Sequence, residues 1–238
     1  MAAGTLYLIP CPICADTAPY DVTPETNRAV IASLDYFIVE NIRSARRFLS
    51  KADIGRPIDD VEFVELNEHT AAGAEVERMV APILQGRNAG VISEAGVPAV
   101  ADPGQLVVAL CHKYGVRIVP LVGPSSIIMA VIASGMNGQS FAFNGYLPVK
   151  EPDRSRAIKR FEARAVAENQ SQAFIEAPYR NIKLVEQMLH ACAAETRLCI
   201  ACDITSATEY IRTATIAEWR KCGIPDIQKR PTIFILGR

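Results

Sequence analysis

The stretch "GVISEAGVPAVADPG", residues 90–104, joins a strand-like apolar run to a loop rich in turn residues. The loop contains Gly96 and a carboxylate, Glu94, and it ends in Asp102-Pro103-Gly104. Glycine lets a ligand approach the backbone where a Cβ would collide. The stretch therefore predicts either a tight strand-to-helix turn, with Asp102 as the helix N-cap, or a loop against which a ligand lies.

Composition predicts a globular protein with a sizeable core. The chain has 238 residues, of which 50% are hydrophobic and 21% are charged, enough for one large domain or two smaller ones. No apolar run reaches the ~18 residues of a membrane span, and no signal-peptide layout opens the chain. We expect a cytoplasmic protein without a membrane partner. The net charge of −1 gives no global argument for nucleic-acid binding, although a local basic face is compatible with it.

The cysteines are predicted to be free thiols, because seven is an odd number and the chain has no secretory features. The pairs Cys11/Cys14 and Cys199/Cys202 have C-x-x-C spacing, which raises a four-cysteine zinc site as an alternative. However, Cys199 and Cys202 lie in an apolar strand, where alternation points them to opposite faces. Buried hydrophobic thiols are favoured, and we expect no metal.

Strands and helices alternate in the first half, which predicts an α/β domain with a mainly parallel sheet. Thr23 is predicted to cap the first helix, with Pro24 in its first position. The predicted strands are 5–10, 35–40, 61–66, 89–93 and 116–121, and the predicted helices are 24–33, 44–52, 71–85 and 104–114.

The second half predicts a mixed sheet, because some of its strands follow one another directly. It is preceded by an apolar helix at 123–135, which we expect to be buried on every side and to lie where two domains join. The predicted domains are 1–121 and 122–238. The predicted strands are 140–148, 171–176, 197–203, 210–216 and 230–237, and the helices are 153–166 and 179–193.

Five motifs occur in a specific order. They are Gly4-Thr5-Leu6-Tyr7 through Pro10-Cys11-Pro12-Ile13, Ser93-Glu94-Ala95-Gly96-Val97-Pro98 with Asp102-Pro103-Gly104, Val122-Gly123-Pro124-Ser125-Ser126, "NGYLPVK" (144–150) and "IEAPYR" (175–180). Together they resemble the tetrapyrrole methylase superfamily and, within it, the bacterial small-subunit ribosomal RNA (cytidine-2′-O)-methyltransferases. Glu94 stands where that branch usually has aspartate, and Cys202 to Ser206 replace its R-E-L-T-K segment.

The resemblance implies two α/β domains with S-adenosylmethionine (SAM) in the cleft between them, a homodimer, and ribosomal RNA or the small ribosomal subunit as partner. Ligands of open α/β sheets bind beyond the carboxyl ends of the strands, where these loops are predicted to lie. The cofactor's carboxylate suits the N–H groups of a helix start at Ser125 and Ser126. The implied cofactor-binding residues are Pro10, Glu94, Gly96, Val97, Ser125, Ser126, Glu176, Pro231 and Thr232.

Methylation of a ribose hydroxyl requires removal of its proton. The candidate bases are Glu40, Glu176 and Asp203, with Glu209 and His69 as further candidates. Each has a structural alternative, and Glu176 in particular has the right spacing to pair with Arg180. The residues alone do not single out one base.

Two groups of basic residues are candidates for phosphate contact. One contains Arg43, Arg46, Arg47 and Lys51, and the other Lys150, Arg154, Arg156, Lys159, Arg160 and Arg164. Arg43, Arg46, Lys150 and Arg154 are predicted to bind the substrate. The alternative for both groups is a solvated helix face.

Two other functions stay open. In the first, the acceptor of the methyl group is a tetrapyrrole or another small molecule. The opening loop, however, lacks the G-x-G-P-G motif typical of tetrapyrrole enzymes. In the second, the protein binds SAM without turnover. This is motivated by the departures at Glu94 and Cys202 and by Asn41, which stands where the branch usually has the aspartate of an E-D-T-R-H segment.

Overall fold

The computed structural model describes residues 2–14, 16–67, 70 and 73–238. The chain divides into two compact units, 1–125 and 126–238. The candidate base His69 lies outside the described residues.

The described part of the first unit contains a five-stranded, wholly parallel sheet in the order β3-β2-β4-β1-β5. The mainly parallel sheet predicted for this half is confirmed. Its strands are β1 Thr5–Ile9, β2 Tyr36–Val39, β3 Glu62–Glu65, β4 Ala89–Ile92 and β5 Arg117–Pro120. Its helices are α1 Pro19–Val22, α2 Thr26–Ser33, α3 Ile42–Lys51, α4 Ala74–Leu84 and α5 Gln105–Lys113.

Apolar clusters cover both faces of this sheet. Leu6 and Val80 belong to one cluster, whereas Ile9, Phe37 and Leu49 belong to the other. Every residue of β2 and β4 is buried. Strands that are covered on both faces need continuous apolar sequence, which is why these two segments do not alternate.

The second unit contains a mixed sheet, as predicted, in the order β6-β7-β10-β8-β9. Strands β6 and β7 are parallel, and the other pairs are antiparallel. The strands are β6 Phe141–Tyr146, β7 Ser171–Ile175, β8 Arg197–Cys202, β9 Tyr210–Thr215 and β10 Thr232–Gly237. The helices are α6 Ser126–Ser134, α7 Asp153–Ala167, α8 Asn181–Ala191 and α9 Ile216–Cys222.

The cysteine side chains follow the predicted alternation. Cys202 packs in the cluster that contains Trp219, whereas Cys199 packs with Ala130 in the cluster on the other face. All seven cysteines are free thiols. Burial raises the pKa of both Cys199 and Cys202, which keeps these thiols protonated at neutral pH.

Some local predictions are wrong, and two helices, α1 and α9, were not predicted. Thr23 is not an N-cap and Pro24 does not begin a helix, because α2 begins at Thr26 after Glu25. Thr23 is instead the C-cap of α1, and its hydroxyl donates to the carbonyl oxygen of Pro19 at 2.8 Å. Helix α6 is not buried on every side, since Ile132 is 75% exposed. Helix α9 was not predicted, although its start carries a capping box between Thr215 and Glu218 that the sequence contains.

No helix within the described residues has both the length and the apolar character that crossing a bilayer requires.

Candidate functional site

The loops that follow β1 and β4 are joined at the carboxyl edge of the first sheet. The N–H of Cys11 donates to the carbonyl of Gly96 at 2.8 Å, and the N–H of Gly96 donates back to Cys11 at 3.1 Å. Gly96 has φ +69°, in the left-handed region that favours glycine. Burial raises the pKa of the Cys11 thiol to about 12, so it does not act as a nucleophile at neutral pH.

The loop after β5 packs on the loop after β1. A Cβ added to Gly123 would lie 2.3 Å from Cγ of Pro10, a separation that real structures do not contain. The Asn27 amide also donates to the carbonyl of Val122 at 2.9 Å. Packing against Pro10 therefore already requires glycine at position 123.

Two of the predicted acidic residues meet at this edge. The Glu40 carboxylate, just after β2, accepts the N–H of Glu94 at 3.1 Å. Glu94 in turn accepts the Ser44 hydroxyl at 3.3 Å, and Asn41 caps α3 by accepting the N–H of Ser44 at 3.0 Å. Asn41, one of the altered motif residues, thus has a clear role in positioning α3. Val97 lies half-buried further along the same loop as Glu94.

Asp102 shapes the 93–104 loop from inside. Its Oδ1 accepts the N–H groups of Ala99 at 2.9 Å and Gly104 at 2.7 Å. Ala99 and Ala101 both adopt positive φ, 66° and 63°. The N-cap of α5 is Gly104, so the prediction that Asp102 is the N-cap is wrong. Burial raises the pKa of Asp102 against the effect of these backbone bonds.

A cavity of about 340 Å³ opens beside these loops. Cys11, Ser93 and Glu94 line it from the loops, and α3 contributes Arg47 and Lys51. A larger cavity of about 490 Å³ lies at the β3 edge and contains none of the predicted site residues, so we place the site at the smaller one.

The remaining candidates gather at one edge of the second sheet. Ile233 of β10 pairs with Ile175 of β7, and Thr232 pairs with Cys202 of β8. This register brings together the segments that carry the predicted site residues Glu176, Asp203, Pro231 and Thr232, with Glu209 just before β9.

Glu176 is held by two arginines. Its Oε1 accepts from Nε and Nη2 of Arg180 at 2.9 and 2.6 Å and from the N–H of Ala177 at 2.7 Å, and its Oε2 pairs with Arg154. The carboxylate side chain is 0% exposed. Burial alone would raise its pKa, but the hydrogen bonds and the two positive charges outweigh it and hold the pKa below the usual range. The structure thus confirms the alternative given from the sequence, in which Glu176 pairs with Arg180.

Arg154 is not available to a phosphate. Its side chain is 1% exposed, and besides Glu176 it donates to the carbonyl of Pro148 at 2.7 Å and to Gln187 at 3.1 Å. The prediction that Arg154 binds substrate is therefore replaced by a structural role. The basic sequence pattern could not distinguish this buried arginine from its exposed neighbours.

Asp203 braces the loop between β8 and β9. It accepts from Nε of Arg230 and from the Thr208 hydroxyl, both at 2.8 Å, while Glu209 accepts the N–H of Thr205 at 2.8 Å. Asp203 and Thr205 adopt positive φ, 48° and 73°. Such conformations cost energy outside glycine and cluster at functional sites.

Asn181 was missed by sequence reasoning. Its buried amide donates to the carbonyls of Ile227 at 3.0 Å and Arg230 at 2.7 Å and to the Thr232 hydroxyl at 3.1 Å. It thereby fixes the chain that enters β10. An asparagine at a helix start gives no sequence signal for such a long-range clamp.

The predicted phosphate-binding residues differ in their surroundings. Arg43 and Lys150 are exposed, whereas Arg46 pairs with Asp59 at 2.5 Å. Arg47 is exposed on the α3 face that lines the cavity.

Residues 18–219 match the family described as Tetrapyrrole (Corrin/Porphyrin) Methylases. The chain belongs to the tetrapyrrole methylase family. This confirms the resemblance read from the five motifs, and membership makes the chain a methyltransferase.

Within the family, this tetrapyrrole methylase is similar to two relatives that share one name. It is 31% identical over 218 residues to a Vibrio cholerae protein named Ribosomal RNA small subunit methyltransferase I, covering 91% of this chain and 70% of the relative. It is 32% identical over 213 residues to a Mesorhizobium japonicum protein of the same name, covering 89% and 67%.

Solved structures support the fold. The methyltransferase CobJ matches with a TM-score of 0.60 at 15% identity, covering 100% of this chain and 95% of its own. A uroporphyrin-III-C-methyltransferase from Thermus thermophilus matches with a TM-score of 0.55 at 17% identity, covering 98% and 92%. At these identities the similarity shows the two-domain fold alone.

Proposed function

We propose that this methyltransferase transfers the methyl group of SAM to a ribose 2′-hydroxyl of small-subunit ribosomal RNA. The observation that carries the proposal is the similarity, over 91% of this chain, to a protein named for that RNA class. Because the ribosomal subunit is the proposed substrate, we also propose a cytoplasmic location.

The carboxyl edge of the first sheet fits SAM. A Cβ added to Gly96 would meet only the carbonyl oxygen of Pro124, at 3.5 Å, so this part of the loop leaves room for a ligand. The exposed carboxylate of Glu94 suits the positively charged and hydrogen-bond-donating groups of SAM. We propose that the half-buried Val97 supplies apolar surface for the adenine ring, whereas Pro10 is buried and supports the loop from within.

Three further residues complete the proposed cofactor contacts. Helix α6 starts at Ser126, so Ser125 and Ser126 present backbone N–H groups that suit the carboxylate of SAM. Pro231 stays a proposed contact through its exposed ring. The side chains of Thr232 and Glu176 are engaged within their own unit, so we assign them to supporting the site.

SAM supplies an activated methyl group on a sulfonium centre, and the protein must align the acceptor and take its proton. Arg180 and Arg230 hold the carboxylates of Glu176 and Asp203 in ion pairs, so we assign both carboxylates to supporting the site. We propose Glu40 as the base, because its carboxylate lies against the loop that is proposed to hold the cofactor.

Titration calorimetry with SAM tests the cofactor site. The Gly96→Val variant should bind at least tenfold more weakly, about 1.4 kcal/mol. Gly55→Val is the matched control, because Gly55 also has positive φ, 72°, but a Cβ there meets nothing within 4 Å. Wild-type affinity for SAM in a folded Gly96→Val protein would contradict the proposed contact.

Labelled SAM tests the acceptor. We expect transfer of the label to small ribosomal subunits that lack the modification and none to precorrins. Transfer to precorrins alone would favour the tetrapyrrole alternative, which the family description motivates. SAM binding without transfer to either acceptor would favour a binding protein.

The family resemblance also leads us to propose a homodimer. Sedimentation at micromolar concentration should then give about twice the chain mass of 25.9 kDa. A single species at the mass of one chain would reject the dimer.

A further inference from the structure

Two exposed tyrosines lie at the same edge of the second sheet. Tyr146 ends β6 and Tyr179 lies in the turn Pro178–Arg180 after β7, and both are 61% exposed. Strands β6 and β7 are parallel neighbours, and Tyr146 pairs with Ile175. Both rings therefore lie where β6 and β7 leave the sheet.

The backbone directs Tyr146 outward. The register of β6 against β7 shifts between Phe143 and Tyr146, and Gly145 within this bulge has φ +62°. Bulges re-aim side chains at sheet edges. The next residue, Leu147, is 3% exposed, so the chain turns back into the core directly after the tyrosine. The exposure of the ring is thus set by the local fold.

The buried ion pairs keep Tyr179 in place. The Arg180 guanidinium lies 4.8 Å from the centre of the Tyr179 ring and donates to its hydroxyl at 2.5 Å. Glu176 accepts hydrogen bonds from Arg180 and also pairs with Arg154. Arg154 in turn donates to the carbonyl of Pro148, in the loop after Tyr146. One buried network therefore supports both tyrosines.

A second set of contacts brings a cation to this surface. The N–H of Lys229 donates to the carbonyl of Pro178 at 2.9 Å, and Gln228 donates to that of Tyr179 at 2.9 Å. Lys229 is exposed, as is Lys150 in the loop after β6. Each tyrosine thus has a lysine on a nearby segment: Lys150 follows Tyr146 in the chain, and Lys229 bonds to the turn that contains Tyr179.

Exposed aromatic rings with neighbouring cations are the features that bind unpaired RNA, because bases stack on the rings and phosphates meet the charges. We propose that Tyr146 and Tyr179 form a stacking platform for unpaired bases of the RNA substrate, with Lys150 and Lys229 contacting its phosphates. The platform rests on the proposed function in taking RNA as the substrate. It explains why the buried Glu176, with Arg154 and Arg180, stabilises a surface loop and a turn.

A fluorescence binding assay with a short single-stranded oligoribonucleotide that contains 2-aminopurine tests the platform. Stacking quenches the fluorescence of this base. Tyr146→Ala and Tyr179→Ala should each weaken binding by about five- to 150-fold and reduce the quenching. Tyr146→Phe and Tyr179→Phe should bind within about threefold of wild type, since the ring is retained.

The matched control is Tyr114→Ala. Tyr114 is 44% exposed and has the Lys113 ammonium 5.3 Å from its ring, but it lies at the end of α5. Its loss should leave RNA affinity unchanged, and all the variants should keep wild-type affinity for SAM. Unchanged RNA affinity in both alanine variants, or an equal loss in Tyr114→Ala, would overturn the platform while leaving the methyltransferase proposal intact. A wild-type protein that binds no RNA would overturn both.

Discussion

Replacing Arg154 by methionine tests the buried network that underlies the second unit. Methionine keeps the apolar stem but removes the guanidinium, which is 1% exposed and bonded to Glu176, Pro148 and Gln187. Removing one partner of a buried ion pair costs roughly 3–5 kcal/mol, because the other charge is left without compensation. Arg180 still holds Glu176 in this variant, so we expect about 3 kcal/mol, the lower end of that range.

Arg156→Met is the matched control on the same helix. Arg156 pairs with Asp153, but the two side chains are 73% and 62% exposed. Exposed pairs contribute less than about 1 kcal/mol, so this variant should be close to wild type.

Urea unfolding followed by tryptophan fluorescence provides the assay. Trp219 is the only tryptophan of the chain and is buried in the second unit, so its signal reports on that unit. With a slope of about 2 kcal/mol per M urea, Arg154→Met should lower the midpoint by about 1.5 M and Arg156→Met by less than about 0.5 M. Equal midpoints for the two variants would refute the assignment of Arg154 to a structural network.

Three further predictions concern acid stability, loop packing and RNA contact. Folding lowers the pKa of Glu176, so its contribution to stability should be complete above the ordinary carboxyl pKa and should be lost as pH falls through the lowered value. A Glu176→Gln variant whose urea midpoint keeps the wild-type pH dependence would contradict this. Gly123→Ala should cost about 1–3 kcal/mol in urea unfolding because its Cβ would overlap a proline, whereas Gly138→Ala, with 3.8 Å of clearance, should be tolerated; equal effects would refute the packing. Arg46→Glu with Arg47→Glu should weaken RNA binding and its salt dependence in filter binding while leaving SAM affinity unchanged, and intact RNA binding would remove α3 from the interface.

The sheets could be predicted from the sequence because their signals are local. Continuous apolar runs mark the doubly covered strands β2 and β4, and the strands of the second half that follow without helices indicate its mixed sheet. The opposite faces of Cys199 and Cys202 followed from strand alternation alone.

The two wrong predictions of helix caps share a physical cause. Side chains that favour helix caps also form other local hydrogen bonds, and only the folded chain selects among them. Thr23 bonds back to Pro19, and Asp102 holds its own loop rather than the helix after it.

The site was predicted at the level of segments more than of side-chain roles. The motifs identified the loops that meet at the two sheet edges, but not the contact between Glu40 and the Glu94 backbone. Whether a charged residue is exposed or paired depends on long-range packing. The sequence therefore could not show that Arg154 is buried against Glu176 or that Asn181 clamps the entry to β10.

The chemical position of the transferred methyl group tests the central proposal most directly. The protein is incubated with methyl-labelled SAM and unmodified small ribosomal subunits, and the RNA is then hydrolysed in alkali. Alkaline cleavage uses the ribose 2′-hydroxyl as its nucleophile, so a 2′-O-methyl group protects the adjacent linkage. The account predicts that the label appears in an alkali-resistant dinucleotide. Label recovered only in mononucleotides, or no label in the RNA while SAM binds, would contradict it.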